Sequence, residues 1–240
     1  MLHLLRSSLR TRLLATMVVV SVLPLLLLAL SLRARTQADL TAAAERDLRQ
    51  QLAVVVSDVA GFVGEHRELV LSTALMPAIT GMDSAQQRPA LAAVASRHTD
   101  DVAVFHTMDL TGMNVARHDG KPPMDLSDRE YFTGVKSGQP LVYQTLISRT
   151  TGKPALGIAT RIARDAATVG VLQLTLDLGR TADVVDRVRV AETGYAWLVD
   201  DRDKLMVHRD TAAAAAQRVV AEHPVVRAAR AGADSVVRFE

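Results

Sequence analysis

The fold of this chain is decided by residues 141–178, LVYQTLISRTTGKPALGIATRIARDAATVGVLQLTLDL. This stretch contains three β-rich runs, at 141–149, 154–162 and 169–178. Their apolar and β-branched residues favour strands. The turn TTGKP between the first two runs supplies Gly152 and Pro154, which suit a hairpin connection. We therefore predict an antiparallel sheet in this part of the chain.

A strand–turn–strand pattern precedes this stretch and returns after it. Residues 102–118 contain two β-rich segments joined by an Asp-containing turn, DLTG, which predicts a hairpin. About 92 residues later, residues 195–208 repeat the design, with Asp201 where the first has Asp109. The repetition indicates two related modules in tandem.

Helices are predicted around these strands from composition and turn signals. They are expected at 128–137, 179–190, 211–221 and 224–231, and a last strand begins at 235–240, SVVRFE.

The N-terminal part contains an uncharged apolar run at residues 13–32, bounded by Arg12 and Arg33. Twenty residues at a rise of about 1.5 Å each span about 30 Å, the hydrocarbon thickness of a bilayer. We predict a transmembrane helix, with residues 1–12 cytoplasmic because basic residues dominate that side. A cleaved signal peptide is the competing interpretation, with small residues at Ala29 and Ser31. A lasting anchor is favoured, because cleavable apolar regions are usually about 7–15 residues long.

A second helical stretch follows at residues 36–76. Helix-forming residues dominate it, and it contains no proline. Apolar residues recur within it at alternating spacings of three and four, a heptad seam with two polar members. The seam comprises Leu48, Leu52, Val55, Val59, Phe62, His66, Leu69 and Thr73. It can pack on the chain's own domain or on a second copy in a parallel homodimer, and both arrangements can hold on one helix. Residues 77–89 are interpreted as a turn region, followed by a short helix at 90–98.

Composition excludes several classes of protein. The chain has no cysteine, so disulfides, thiolate metal sites and cysteine nucleophiles are absent. Its net charge is +2, but the first 35 residues contain five arginines and no acids. The remainder has 23 basic and 26 acidic residues, a net charge of −3, which gives no support to a nucleic-acid partner.

The order of these elements resembles the double Cache sensor domains of bacterial transmembrane receptors. The matching residues are Asp128, Arg129, Tyr131 and Phe132, then 148–154, 170–178 and 192–200. The resemblance implies an α+β fold with an N-terminal transmembrane helix, a long stalk helix and two tandem PAS-like antiparallel-sheet modules. It places a ligand-holding, membrane-distal module at 95–178 and an incomplete membrane-proximal module at 190–240. Family members continue with further strands, a second membrane span and an output domain, so we expect this chain to be a fragment or a truncation of such a receptor.

The resemblance also indicates a binding residue, because the arginine of an R-x-[WY] pair on this helix often holds a ligand carboxylate. Here the pair is Arg129 and Tyr131. A guanidinium matches two carboxylate oxygens, and Tyr131 can add a donor or a ring wall. The alternative is a structural ion pair of Arg129 with a neighbouring acid: Asp125, Asp128 or Glu130.

Amino-acid-binding members carry a tyrosine and an aspartate on the strand after this helix and an aspartate on a later strand, which hold the ligand's ammonium. The corresponding positions here are Leu146, Ser148 and Thr175, and none is negatively charged. An ammonium without an ion pair would be costly to desolvate, so we expect a small carboxylate. Strand alternation places Gln144 on the same face as Leu146 and Ser148, which completes the predicted ligand-binding set.

Enzymatic interpretations find no support in the sequence. G-x-S-x-G, phosphate-cradling glycine loops and H-E-x-x-H are all absent. His106, His118 and His208 have no pairing spacing and are interpreted as surface or packing residues. We therefore expect no catalytic residue, metal or cofactor in the region present.

The predicted function is extracytoplasmic sensing of a small organic acid in the bacterial inner membrane. The expected partners are the ligand, the lipid bilayer and a second copy bound through the long helix. A sensor histidine kinase is the first choice of output, and a diguanylate cyclase or a chemotaxis receptor would also fit. A tethered solute-binding protein without output is a further possibility.

Overall fold

The computed structural model describes residues 9–190 and 194–232 of the chain. The described residues fall into two compact units, one as far as Gln51 and the other from Leu52 onward. The first unit is helical: α1 begins at Leu9 and continues into the second unit as far as Ala74. The rest of the second unit is α+β, so the prediction of a long N-terminal apolar helix and an antiparallel sheet is confirmed.

Helix α1 contains the one candidate membrane span among the described residues. The most apolar window of Thr16–Ala74 has a mean hydropathy of 2.3, and none of it is buried. Pro24 lies inside the helix without ending it, as proline commonly does in membrane helices. The apolar side chains of this stretch therefore have the exposure that a lipid-facing helix requires.

The predicted heptad seam divides along α1. Within the second unit, Phe62 and Leu69 pack against the buried hydrophobic core, and His66 and Thr73 are buried. Leu52, nearer the start of this unit, is 40% exposed. The far half of the seam thus packs on the chain's own domain, as one of the two predicted arrangements requires.

The second unit is built on a five-stranded antiparallel sheet of order β2-β1-β5-β4-β3. Its strands are β1 Val102–Met108, β2 Asn114–Arg117, β3 Leu141–Ile147, β4 Pro154–Arg164 and β5 Ala167–Asp177. The strands β4 and β5 extend further than their apolar runs predicted. They are joined at Asp165 and Ala166, whose φ values of 49° and 67° are those of a tight type I′ hairpin turn.

Different helices pack on the two faces of this sheet. One face packs against α1, α2 (Pro77–Thr80) and α3 (Ser84–Ala95), with Phe105 and Leu174 fully buried between them. The other face packs against α4 (Glu130–Lys136) through a smaller cluster that includes Tyr131 and Leu146. Because side chains alternate along a strand, neighbouring residues of β1 and β5 contact opposite layers.

The prediction of a turn region at 77–89 and a helix from residue 90 is wrong. Helix α2 begins at Pro77, where proline is favoured in the first turn. Helix α3 begins at Ser84, because the carboxylate of Asp83 accepts a hydrogen bond from the backbone N–H of Ala85. Pro89 lies within α3.

The region after the sheet forms short elements. They are α5 Gly179–Asp186, β6 Arg189–Val190, β7 Gly194–Tyr195, β8 Leu198–Val199, β9 Leu205–Val207, α6 Thr211–Ala215 and α7 Pro224–Arg230. The strands β6 and β7 pair with each other, as do β8 and β9. The repeated hairpin at 195–208 is thus present as β8 and β9, while the predicted strand at 235–240 lies outside the described residues.

We expect Gly170→Ala to lower the free energy of unfolding by about 1–3 kcal/mol, the usual cost of overpacking. A Cβ at Gly170 in β5 would lie 2.6 Å from the backbone oxygen of Met108, so strands β5 and β1 must separate. The matched control is Gly64→Ala in α1, where a Cβ meets nothing within 4 Å. That change should raise stability by about 0.5–1 kcal/mol.

Both variants can be compared by urea denaturation of the 240-residue chain in detergent micelles, followed by circular dichroism. Equal stability of Gly170→Ala and the unaltered chain would contradict the packing described at this position.

Candidate functional site

A pocket lies between the α4 face of the sheet and the segment that precedes α4, and it contains about 310 Å³ of empty space, including space that is open to solvent. Free space at its centre holds little more than one water molecule. Its lining comes from β1, β2, β3, β5, α4 and the connections beside them: Val104, His106, Arg117, Met124, Leu126, Arg129, Tyr131, Leu146, Ser148, Arg149, Thr150 and Thr175. Three arginines and no acids belong to this lining, so the pocket suits an anion.

Strand register brings the sheet residues of the pocket together. Val104 of β1 is paired with Thr175 of β5, which is paired with Gly157 of β4, which is paired with Gln144 of β3. A Cβ at Gly157 would lie 3.0 Å from both the Gln173 amide nitrogen and a Leu146 methyl group. Glycine at this position therefore lets those two side chains approach each other over the sheet.

Arg129 is the residue at the start of α4, and its side chain is half-buried. One of its terminal nitrogens donates a hydrogen bond to the carbonyl oxygen of Ile147, at 3.2 Å. Within residues 9–190 and 194–232 it forms no ion pair, because the neighbouring acids have other partners: Asp128 binds Arg149 and Glu130 binds Arg202. The guanidinium of Arg129 consequently keeps donors free for a ligand.

The guanidinium of Arg117 is buried and bound by Asp119 through two hydrogen bonds, of 2.9 and 2.7 Å. Burial acts to raise the pKa of Asp119, but hydrogen bonds from Arg117 and from the backbone of Lys121 outweigh it and lower the pKa to about 2. Arg117 also donates to the hydroxyl of Thr150, at 3.1 Å. Its charge is therefore neutralised within the protein.

The other predicted site residues hold different positions around the pocket. Tyr131, Leu146, Ser148 and Thr175 line it together with Arg129, and burial raises the pKa of the Tyr131 hydroxyl. Gln144 does not line the pocket; its side-chain oxygen accepts a hydrogen bond from the backbone N–H of Tyr131, at 3.1 Å. Gln144 thus holds the first turn of α4 against the sheet.

The hydroxyl groups of the pocket already have protein partners. The Ser148 oxygen accepts bonds from the backbone N–H groups of Thr150 and Thr151, both at 3.3 Å. The Thr175 hydroxyl is bound to the side-chain amide of Gln173. The Ser148 hydroxyl proton remains available to a ligand, since its oxygen only accepts in these bonds.

His106 lines the pocket but was interpreted from sequence as a surface or packing residue. It is 4% exposed, and neither ring nitrogen has a hydrogen-bond partner among the described residues. Burial, and then the positive charge of Arg117, lower the pKa of His106 to about 3. The ring is therefore neutral at physiological pH, with one donor and one acceptor nitrogen. Arg117 and Arg149 also line the pocket without having been predicted to do so, because no local sequence pattern indicates that their side chains reach it.

A model of the Cache domain family, in its double form, matches residues 30–236. The chain belongs to the Cache domain family. The match covers the end of the candidate membrane span, the rest of α1, the sheet and the short elements that follow.

This Cache domain is similar to sensor domains of two kinds of receptor. The methyl-accepting chemotaxis protein McpG of Pseudomonas putida is 29% identical over 97 residues, which are 39% of this chain and 15% of that protein. The chain thus spans a small part of the length of that relative. The ligand-binding domain of the Pseudomonas fluorescens chemoreceptor CtaA, in complex with L-isoleucine, has a TM-score of 0.60 at 23% identity, over 75% of each chain. The sensor domain of the V. cholerae histidine kinase DctB has a TM-score of 0.59 at 16% identity, over 69% of this chain and 66% of that one.

Larger clefts of this Cache domain lie in the region after the sheet. One encloses about 850 Å³ beside Trp197, Asp203 and Arg230, but Arg230 and Asp203 already bind each other at 2.8 Å. In the part of the chain that the structure describes, no cluster of three or more His, Asp or Glu side chains could hold a metal ion. The pocket beside Arg129 is the better candidate, because polar groups with unused hydrogen-bonding capacity converge there.

Proposed function

We propose that this Cache domain is the sensor of a receptor in the bacterial inner membrane. It binds a small carboxylate outside the cytoplasm, and the resulting conformational change reaches the receptor's output. The observation that carries the proposal is the guanidinium of Arg129, which pairs with no acid of the described chain and lies in a pocket that no acid lines. Tyr131, Leu146, Ser148 and Thr175 complete the site, and Gln144 supports it. A guanidinium that is partly shielded from water binds a carboxylate more strongly than one in bulk water. Because the free space at the pocket centre holds little more than one water molecule, the lining side chains must move apart to admit the ligand.

L-Amino acids are the second candidate ligands, since the chemoreceptor CtaA was solved with several of them. The carboxylate of an amino acid would suit Arg129. Its ammonium, however, would meet Leu146, Ser148 and Thr175, none of which is negatively charged, in a pocket that no acid lines. Desolvating an ammonium without an anion is costly, so the pocket favours a ligand without that group.

The proposed architecture follows the family. Residues 1–12 are cytoplasmic, 13–32 cross the membrane, and 36–76 form the stalk. Residues 95–178 form the membrane-distal, ligand-binding PAS-like module, and 190–240 form part of a membrane-proximal module in the periplasm. The confirmed apolar helix and the five-stranded sheet support the anchor and the distal module, and the two short ladders lie where the second module is expected.

The route from the pocket to the stalk runs through the sheet. In β1, His106 lines the pocket while Phe105 packs in the core that includes Phe62 and Leu69 of α1. Transmission requires that the ligand bind more tightly to one arrangement of the sheet and α1 than to another. Such a ligand would shift the population toward that arrangement and so change the position of α1. We propose that the exposed part of the seam near Leu52 contacts a second copy in a homodimer.

The proposed output is a sensor histidine kinase, and a chemoreceptor output is equally supported because both kinds of receptor occur among the relatives. A diguanylate cyclase output and a tethered solute-binding protein without output would also be compatible with this sensor domain. Sequencing the gene beyond codon 240 decides among them, since each output has its own motifs.

We expect Arg129→Ala to weaken binding of propionate by about 10- to 150-fold, because hydrogen bonds to charged groups contribute about 1.5–3 kcal/mol. Binding can be measured by calorimetry on the full chain in detergent micelles. The matched control is Arg202→Ala, which removes an exposed arginine that pairs with Glu130 of α4 outside the pocket. Retention of full affinity by Arg129→Ala, or equal losses in both variants, would refute the assignment.

A further inference from the structure

His106 is a buried polar side chain whose hydrogen-bonding capacity is unused. Its ring is 4% exposed, faces the pocket, and has no partner at Nδ1 or Nε2 within the described part of the chain. Buried polar groups in folded proteins are nearly always paired, and those that are not call for an explanation. Leucine or phenylalanine would fill this position without burying polar atoms that lack a hydrogen bond.

The charges around the pocket define what can occupy the space beside His106. Asp119 neutralises Arg117, and Asp128 neutralises Arg149. Among the described residues this leaves one lining arginine, Arg129, without an acid partner. The pocket therefore has a net charge of about one positive unit, which a single carboxylate balances.

We propose that His106 is a ligand-binding residue that selects a hydroxyl group, so that the pocket takes a small 2-hydroxy monocarboxylate. The inference rests on the proposed function, in which Arg129 holds the carboxylate. A neutral imidazole presents either a donor or an acceptor nitrogen to a ligand atom, and a hydroxyl group can accept from the one or donate to the other. Arg129 and His106 line the same small pocket, and a 2-hydroxy acid, with the two groups on adjacent carbon atoms, is the smallest ligand that carries both.

Other groups at that carbon fit less well. An ammonium could donate to one nitrogen of His106, but no acid lines the pocket, so its charge would restore the positive unit that the carboxylate balances. A second carboxylate would leave an unbalanced negative charge, and because it only accepts hydrogen bonds it could not pair with the acceptor nitrogen of His106.

Three acids with the same carbon skeleton test the proposal: lactate, propionate and alanine differ only in a hydroxyl, a hydrogen or an ammonium at C2. We expect the full chain in micelles to bind lactate about tenfold more tightly than propionate, because the analogue that lacks the hydroxyl leaves a buried nitrogen of His106 without a partner. Alanine should bind more weakly than either acid.

Two variants of His106 identify the residue responsible. His106→Phe keeps a ring but removes both nitrogens, so lactate should lose about tenfold while propionate is unchanged, consistent with the loss of a hydrogen-bonded contact. His106→Gln keeps one donor and one acceptor and should retain part of the preference. Circular dichroism of both variants verifies their fold, and His98→Phe is the control for loss of a histidine outside the pocket.

The outcomes separate the two proposals. If lactate and propionate bind equally in an Arg129-dependent manner, carboxylate sensing stands and the role of His106 is wrong. A preference for lactate that survives in His106→Phe also overturns it. If neither acid binds, or if alanine binds most tightly, the carboxylate proposal fails together with this inference.

Discussion

Replacing Asp119 with asparagine is expected to lower the free energy of unfolding by about 3–5 kcal/mol, the usual cost of removing one partner of a buried ion pair. The Arg117 side chain is 3% exposed, and Asp119 supplies both carboxylate oxygens to it. An asparagine at this position would leave the guanidinium buried beside the pocket without an anion.

Asp128→Asn is the matched control, because it removes the anion of a second arginine at the same pocket. In that pair Arg149 is 41% and Asp128 is 61% exposed, so water replaces the lost interaction, and we expect a change of at most about 1 kcal/mol. Urea denaturation of the two variants at pH 7 provides the comparison. Similar losses in both would contradict the distinction drawn between a buried and an exposed pair.

Acidification from pH 6.5 to pH 4 is expected to destabilise the unaltered chain by about 3 kcal/mol more than His106→Phe. The pKa of His106 is lowered in the folded state to about 3 from an ordinary value of 6.5. Between these values the unfolded chain binds a proton that the folded chain does not. Stability therefore falls as the pH falls, by about 1.4 kcal/mol per pH unit.

The groups that act on His106 are Arg117, Asp119 and His118, and all three remain in the variant. The pKa of His118 is itself lowered, chiefly by burial, so its contribution is common to both proteins and cancels in the difference. The lowered pKa of Asp119 affects stability only below its ordinary value of 3.8, outside this window. Parallel stability curves for the two proteins between pH 6.5 and pH 4 would show that His106 is not buried as described.

Much of the fold follows from local patterns. Apolar runs predicted the strands β3, β4 and β5, and the TTGKP turn predicted the hairpin between the first two. These features depend on residues close together in the chain, such as Gly152, whose φ of 70° suits a turn. The start of α3 was missed because a single cap at Asp83 outweighed the proline at position 89.

The candidate site was predicted in part. Five of the six predicted residues line one pocket: Arg129, Tyr131, Leu146, Ser148 and Thr175. The family resemblance had indicated these positions, and their role in binding stays a prediction. The sixth, Gln144, supports α4 instead. No pattern indicated that β1 would place a histidine in the same pocket.

The sequence by itself determined the apolar helix and the antiparallel sheet, since periodicity and composition act over short distances along the chain, and the family resemblance indicated the arginine of the pocket. Only the tertiary structure decided which charges are paired. Three acids lie within four residues of Arg129 in the sequence, yet Asp128 binds Arg149, 21 residues away, and Glu130 binds Arg202, 72 residues away. Electrostatic pairing depends on distance through space, and burial depends on which segment covers a side chain. For that reason the available guanidinium of Arg129 and the buried ring of His106 emerge as a site only once the chain is folded.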